Sequence, residues 1–315
     1  MRQRSTTALL LLCIWLVGPA FAAAPKPLRI GTNVWPGYEP LYLAAEREDW
    51  RGSLNIRLVE YPSATEVIRA FRNRTLEAAG LTLDEVLTLR EAGIPLRVVA
   101  VLDISSGADV ILAKPEFSSF VDLKGRTIGV ESTALGAYVL TRALQLNDVK
   151  LTDVHVVHLD VSAHLRAFNN GLVDAVVTFE PVRTKLMGAG ARELFSSREI
   201  PGEVVDVLVV HAETLRFEQR RLREMLEGWF RALKYMQNEP LAAARFTARR
   251  LKITPQEVIK SFDGIESPDA SQNVQLLNQD LPKTLERLQE TLVGSGLLRE
   301  RQDVHDLLDS GLLPH

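Results

Sequence analysis

The sequence predicts a mixed α/β fold of two lobes, each a mostly parallel β-sheet flanked by helices. Short apolar runs alternate with segments of helical spacing, which is typical of βαβ units and parallel sheets. Residues 69–85 can be laid on residues 166–181 at a nearly constant offset, as expected of two lobes built on one plan. The 315 residues, 46% hydrophobic and 24% charged, provide an ordinary globular composition with enough material for both lobes.

The N-terminus predicts an export signal over residues 1–22. Arg2 and Arg4 precede an apolar run at 8–17, and Ala20 and Ala22 provide the small residues that signal cleavage requires. A transmembrane anchor is the alternative, but the run has about ten residues, roughly half of what a ~30 Å hydrocarbon core requires. We therefore expect a mature protein in the periplasm.

Cysteine content and charge exclude several function classes. Cys13 is the only cysteine and lies within the predicted signal, so the mature chain is expected to have no disulfide, thiolate metal site or cysteine nucleophile. The 37 Lys and Arg residues against 40 Asp and Glu residues give a formal net charge of −3. Nothing in this balance suggests nucleic acid or an anionic membrane as a partner.

The first βαβ series follows the predicted signal. Its strands are expected at 28–34, 55–60, 78–81 and 96–102, and its helices at 40–49, 64–73 and 83–92.

The second series has the same alternation and is followed by a mostly helical region from Phe217 onward. Its strands are expected at 127–130, 154–159 and 175–179, and its helices at 134–146, 162–169 and 181–186. In the helical region, apolar side chains recur at three- and four-residue steps: Leu222, Met225, Leu226, Trp229, Phe230, Leu233 and Met236. This spacing predicts one buried stripe on a long helix.

The repeat also predicts how the chain is divided. We expect residues 23–110 and 208–315 to form the first lobe, with the C-terminal helices, and residues 111–207 to form the second. The segments 108–113 and 204–210 are predicted as extended crossings between the lobes. Two crossings predict a hinge that closes the lobes on a ligand.

The loops after the strands are the predicted binding site, because ligands in open parallel sheets bind beyond the carboxyl ends of the strands. Trp35 and Tyr38 would provide flat walls with a polar edge for a small organic ligand. Adaptable hydrogen bonds are expected from Thr82, Ser105 and Ser106. Ser132 or Thr133 can cap the following helix, whose first amides can hold an anionic group, although a plain helix cap is an equal interpretation.

Each copy of the repeat ends in a loop with a carboxylate near a threonine. Asp84 follows Thr82, and Glu180 follows Thr178, so the two acids are candidates to face each other across the cleft. Acid/base catalysis is one interpretation, helix capping by Asp84 is another, and hydrogen bonding to a ligand is the one we favour. The predicted loops contain no Arg or Lys, which favours a ligand with an amine, amide or ring N–H.

No cofactor, metal or catalytic residue is predicted. His155 and His158 lie three apart on a predicted strand, so they point to opposite faces and do not readily share a metal. The sequence has no glycine-rich dinucleotide motif, phosphate loop or Gly-x-Ser-x-Gly elbow.

Four segments carry a family resemblance: IGTNVWPGYEPLYLAAE, LTLDEVL, TIGVESTALGAYVLTRAL and VDAVVTFEPV. In this order and spacing the chain resembles the periplasmic substrate-binding proteins of nitrate, sulfonate and taurine ABC importers, a class that includes binders of thiamine-pyrimidine precursors. The resemblance implies a type II periplasmic binding fold that delivers a small-molecule solute to a membrane permease. We also expect the protein to be a monomer. It maps the family's contacts onto Trp35, the helix start at Ser132, Thr133 and Ala134, and the Glu180-Pro181 loop.

Three functions remain open at this level. An importer's solute-binding protein and a sensor that engages a membrane signalling receptor need the same cleft, so the sequence does not separate them. An enzyme on this fold would need a nucleophile or a metal site, which the sequence does not provide. Fungal relatives of the class that make the thiamine pyrimidine depend on a cysteine-rich motif, from which this chain departs.

Overall fold

A computed structural model describes residues 26–47, 49–50, 54–131 and 134–314. The predicted signal at 1–22 lies outside the described residues, as do Ser132 and Thr133. Within the described part of the chain, no helix combines the length and apolar character needed to span a membrane.

The N-terminal elements follow the predicted βαβ series closely. They are β1 (Leu28–Thr32), α1 (Glu39–Glu46), β2 (Ile56–Glu60), α2 (Ala64–Arg72), β3 (Ala78–Thr82), α3 (Leu83–Glu91) and β4 (Leu96–Ser105). The second series comprises β5 (Val110–Ala113), β6 (Thr127–Val130), α4 (Ala134–Leu146), β7 (His155–His158), α5 (Val161–Asn169), β8 (Ala175–Thr178), α6 (Val182–Gly188) and β9 (Arg192–Ser196). The remaining elements are β10 (Val205–His211), α7 (Ala212–Asn238), α8 (Pro240–Leu251), α9 (Pro255–Ser261), β11 (Ile265–Glu266), α10 (Ala270–Gln275) and α11 (Leu281–Gly294).

The strands form two sheets with the same plan. The first has six strands in the order β11-β4-β10-β3-β1-β2, and the second has five in the order β7-β6-β8-β5-β9. Each sheet contains three parallel strands, β2-β1-β3 in the first and β7-β6-β8 in the second. An antiparallel strand, β10 or β5, pairs with the last of the three and with one more strand on its other side, β4 or β9. The predicted architecture of two related α/β lobes is therefore confirmed.

The segments predicted as crossings are strands inside the sheets, which corrects that prediction. Residues 110–113 form β5, and residues 205–211 form β10, each paired on both sides. All residues of both strands are buried, and all except Asp206 and His211 are apolar, as expected of central strands with both faces covered. The chain passes between the sheets at 106–109 and again at 197–204; the exact division of the two lobes stays a prediction.

The C-terminal helices close the core of the first lobe. The predicted stripe on α7 is buried at Leu222, Met225, Leu226, Trp229 and Leu233, while Phe230 and Met236 pack partly buried against it. The indole Nε1 of Trp50 donates to the carbonyl of Met225 at 3.0 Å and fixes the region after α1 on this helix. The long helix is therefore structural, as its spacing predicts.

Candidate functional site

A small, partly open cavity, lined mostly by buried side chains, lies between the two sheets. The first sheet and its loops contribute Asn33, Trp35, Tyr38, Ala64, Thr82, Glu85 and Asp206; the second contributes Glu131, Leu135 and Phe179; and Asp109 comes from a connection between them. We call this space the interlobe cavity. It offers about 20 Å³ to the centres of water molecules, which is room for about one water. A larger ligand therefore requires the lobes to separate or adjust.

Trp35 and Tyr38 lie at the turn that follows β1. Pro36 occupies the first position of a short 3₁₀ helix, Pro36–Tyr38, and this turn carries both aromatic rings into the interior. The Trp35 Nε1 donates to Oδ1 and Oδ2 of Asp103, at 3.2 and 3.1 Å, and the Tyr38 hydroxyl donates to Asp206. Both aromatic residues therefore turn their polar edges toward buried acids.

The strand register brings these two acids together. Asp206 on β10 lies opposite Thr82 on β3 and opposite Asp103 on β4. Like charges placed directly opposite on neighbouring strands are destabilising. Burial, followed by the charge of Asp206, raises the pKa of Asp103 well above its usual range. Burial also raises the pKa of Asp206, so a pair in which at least one of the two acids is protonated is favoured over a pair with both ionised.

The first turn of α3 places two more carboxylates beside the cavity. Glu85 Oε2 accepts from the Thr82 backbone N–H at 3.0 Å, which satisfies one free amide at the helix start. Among the described residues, Glu85 Oε1 and Asp84 Oδ2 have no hydrogen-bond partner. Burial raises the pKa of both side chains, and for Glu85 the charge of Asp84 adds to this effect.

Asp109 contributes a further carboxylate from the connection between the sheets. Its backbone N–H donates to Ser105 Oγ at 3.1 Å, but its Oδ2 has no hydrogen-bond partner within the described part of the chain. Burial raises the pKa of Asp109 to about 7.

Glu131 joins the two lobes directly. Its Oε1 accepts from the backbone N–H of Ala64 at 3.1 Å, at the start of α2 in the other lobe. A carboxylate in this position also interacts favourably with the helix dipole. Burial nevertheless raises the pKa of Glu131 to about 7.

The structure places three of the predicted site residues on the cavity: Trp35, Tyr38 and Thr82. Asp84 is buried in the first turn of α3, next to Glu85. Ser132 and Thr133 lie outside the described residues, and Ala134 is the first residue of α4. A ligand-binding role for each of these residues stays a prediction.

The other predicted residues lie away from the cavity lining. Glu180 accepts from the backbone N–H and hydroxyl of Thr184 and from Arg183, so its carboxylate is engaged at its own helix, α6. Ser105 Oγ lies 2.8 Å from Ser197 Oγ and links the two connections, while the Ser106 N–H donates to the carbonyl of Gly264. The pairing of Asp84 with Glu180 across a cleft stays a prediction.

Sequence reasoning did not select Phe179 or five acids of this region: Glu85, Asp103, Asp109, Glu131 and Asp206. Asp103 and Glu131 directly follow the predicted strands at 96–102 and 127–130, and Phe179 ends the predicted strand at 175–179, so all three stand at the strand ends where a ligand was expected. Asp206 carries a clearer signal, because it is a single charge inside the apolar run at 204–210. An isolated carboxylate in a fully buried strand needs a partner or a function.

Within the described ranges, no three His, Cys, Asp or Glu side chains are grouped as a metal site requires. His155 and His158 are exposed on β7, whereas His164 is buried with its ring nitrogens near Thr178 Oγ1 and the Leu159 carbonyl, each at 3.2 Å.

Solved structures share this fold at low sequence identity. The alkanesulfonate-binding protein SsuA of Xanthomonas axonopodis pv. citri, bound to MOPS, matches with a TM-score of 0.77 at 19% identity, over 91% of this chain and 99% of the other. The desulfurization enzyme DszB matches with a TM-score of 0.67 at 17% identity, over 90% and 97%. At such identities the likeness shows the fold alone, and the fold is common to a binding protein and an enzyme.

Sequence comparisons identify the family. A candidate binding protein of Brucella abortus (strain 2308) is 28% identical over 186 residues, 58% of this chain and 56% of the relative. This chain therefore spans little more than half the length of the curated relatives that it matches. The model of the NMT1-like family matches residues 22–252, which include every described strand except β11 and all of the cavity lining. The chain belongs to the NMT1-like family.

Proposed function

We propose that this protein is an extracytoplasmic solute-binding protein, which captures a small organic solute between its lobes and presents it to the permease of an ABC importer. The interlobe cavity carries this proposal, because residues of both lobes line it. The family and the fold shared with an alkanesulfonate-binding protein support the same interpretation. The role is binding without turnover.

The proposed mechanism is closure about the two connections at 106–109 and 197–204. A solute that contacts both lobes stabilises the closed arrangement relative to the open one, and only this difference in affinity drives closure. The Trp35 ring meets the Phe179 ring of the other lobe edge to face, with centroids 5.6 Å apart. Trp35 fluorescence is therefore a suitable reporter of closure.

The first test is a thermal-shift screen of the mature protein against amino acids, amines, pyrimidines, alkanesulfonates and nitrate. A solute at a hundred times its dissociation constant adds about 2.7 kcal/mol to the free energy of unfolding, which is readily detected. Small-angle scattering should show a smaller radius of gyration with the solute bound. If no solute of any class changes stability or compactness, the proposal fails.

Two further measurements separate the proposed role from its alternatives. Mass spectrometry of a bound solute after prolonged incubation should recover it unchanged; a converted product would indicate an enzyme, as DszB is on this fold. The loaded protein should stimulate ATP hydrolysis by a reconstituted permease and ATPase encoded beside its gene. Stimulation of a neighbouring signalling receptor instead would indicate a sensor.

A further inference from the structure

We infer that the interlobe cavity selects an organic cation: a protonated amine, amidinium or guanidinium on a small apolar body. The inference rests on the proposed function and names the class of solute. It gives this cavity a preference opposite in charge to that of the Xanthomonas protein, which binds alkanesulfonates.

The lining of the interlobe cavity is acidic. Four of the lining side chains are carboxylic acids, Glu85, Asp109, Glu131 and Asp206, and no described lining residue is Lys, Arg or His. Asp103 lies directly behind Asp206 in the sheet. A sulfonate would add a further negative charge to this buried acidic site, whereas a cation would relieve the repulsion.

Two of these acids have unused hydrogen-bonding capacity. Glu85 is 2% exposed and Asp109 4%, yet Glu85 Oε1 and Asp109 Oδ2 have no partner among the described residues. Buried polar atoms are normally satisfied, and an orphan acceptor in a cavity indicates a donor that the protein itself does not supply. A charged N–H group is the strongest donor for a carboxylate.

Two buried acids elsewhere in the same chain have a cationic partner. Glu39 and Glu180 are also fully buried, but each is bound to an arginine, Arg250 and Arg183 respectively. For these two structural acids, the protein itself supplies the positive charge that pairs with the buried carboxylate. The lining acids that have a donor receive a neutral one, such as the Tyr38 hydroxyl on Asp206 or the Ala64 N–H on Glu131, so their cationic partner is expected to be the solute.

Aromatic and apolar side chains in the cavity indicate the shape of the cation. The rings of Trp35, Tyr38 and Phe179 line the same space as the carboxylates, together with the apolar Ala64 and Leu135. Aromatic faces attract organic cations and also accommodate an apolar body. A bare metal ion uses oxygen ligands and gains nothing from these walls. The combination therefore favours a substituted ammonium or amidinium over an inorganic ion.

The test uses probes that share one shape and differ in charge. Benzamidinium, benzamide and benzoate form one set, and butylammonium, butanol and butanesulfonate form a second. We expect at least one cation to raise the melting temperature and to bind in calorimetry at about 0.15 M salt, with its neutral and anionic counterparts at least about tenfold weaker. Equal or tighter binding of the anions would overturn the inference and leave the proposed function standing.

Variants locate the binding and separate the two proposals. Glu85→Gln and Asp109→Asn each replace an ionisable carboxyl group by a neutral amide with little change of shape, and each should weaken the best cation at least about tenfold. Glu116→Gln, an exposed side chain in the second lobe, removes the same charge and should change affinity less than about twofold. Equal effects of all three would overturn the assignment of the site. If neither these probes nor the wider solute screen gives binding, the proposed function fails and the inference with it.

Discussion

Asp103 and Asp206 lie directly opposite each other on neighbouring antiparallel strands, with an aromatic donor on each: Trp35 on Asp103 and Tyr38 on Asp206. These neutral donors satisfy part of the hydrogen-bonding capacity of each carboxyl group but do not neutralise the negative charge of its ionised form. Protons therefore remain on this cluster to a higher pH than on ordinary acids, because burial opposes the ionised form. This relationship makes the stability of the protein depend on pH.

We predict that the solute-free protein loses stability as pH rises from about 4 to about 8. Burial raises the pKa of Asp109 and Glu131 to about 7 and that of Asp206 to about 8. The unfolded chain releases these protons near pH 4, so the folded state binds more protons across this range. Below pH 4 each group makes its full contribution to the free energy of unfolding. As the pH rises from about 4 through the pKa of the group in the folded protein, this contribution is lost, by up to ~1.4 kcal/mol per pH unit.

Urea unfolding across this pH range measures the effect. Asp206→Asn should lose less stability than the parent protein between pH 5 and 8, because one titrating group is removed. If the free energy of unfolding rises steadily over this interval in both proteins, the acids are ionised in the folded state and the prediction is wrong. Benzamidinium should bind more tightly at pH 8 than at pH 5.5, since a bound cation favours the ionised acids.

The Trp35 indole is predicted to stabilise Asp103 and to form a wall of the binding site, and two substitutions separate these roles. Trp35→Phe keeps a ring but removes the N–H donor, and should lower the free energy of unfolding by about 1–3 kcal/mol. Adding Asp103→Asn to this variant should recover part of the loss. Trp35→Ala removes the wall as well and should weaken cation binding about three- to thirtyfold. Unchanged affinity in Trp35→Ala would show that this ring does not contact the solute.

Gly37 is required for the close approach of the first turn to Asp103. An added Cβ would lie 1.8 Å from Asp103 Oδ2 and 2.5 Å from Trp35 Nε1, so Gly37→Ala should displace both groups. We expect a loss of about 1–3 kcal/mol in the free energy of unfolding and weaker solute binding. Gly188→Ala is the matched control, because nothing lies within 4 Å of its added Cβ at the end of α6. It should be neutral or stabilise by up to about 1 kcal/mol.

The hydrogen bond between Glu131 and Ala64 is predicted to hold the lobes together. Glu131→Ala should increase the radius of gyration of the solute-free protein in small-angle scattering and weaken the best cation by about tenfold. The exposed Glu116→Ala in the same lobe should do neither. A Glu131→Ala protein as compact as its parent and equal in affinity would show that this contact does not govern closure.

The sequence predicted the elements well because their patterns are local. The strand at 127–130 and the helix at 134–146 match β6 and α4, and the duplicated α/β plan is visible in the repeat. The position of Asp206 against Thr82 and Asp103 is not local, since β10 inserts between strands more than a hundred residues earlier. Nor does spacing reveal that Glu180 is engaged at its own helix, because this depends on side-chain angles.

The contributions of the two lobes to the cavity are unequal. Tyr38, Glu85 and Asp206 belong to the first, whereas the second supplies Glu131 and Phe179. In an open molecule, a solute would therefore bind first to the residues of the first lobe. The second lobe would close over the bound solute afterwards. We expect the association rate to be set by the charge of the first lobe and the residence time by Glu131 and Phe179. The two lobes, although built on one plan, would then control different halves of the binding kinetics.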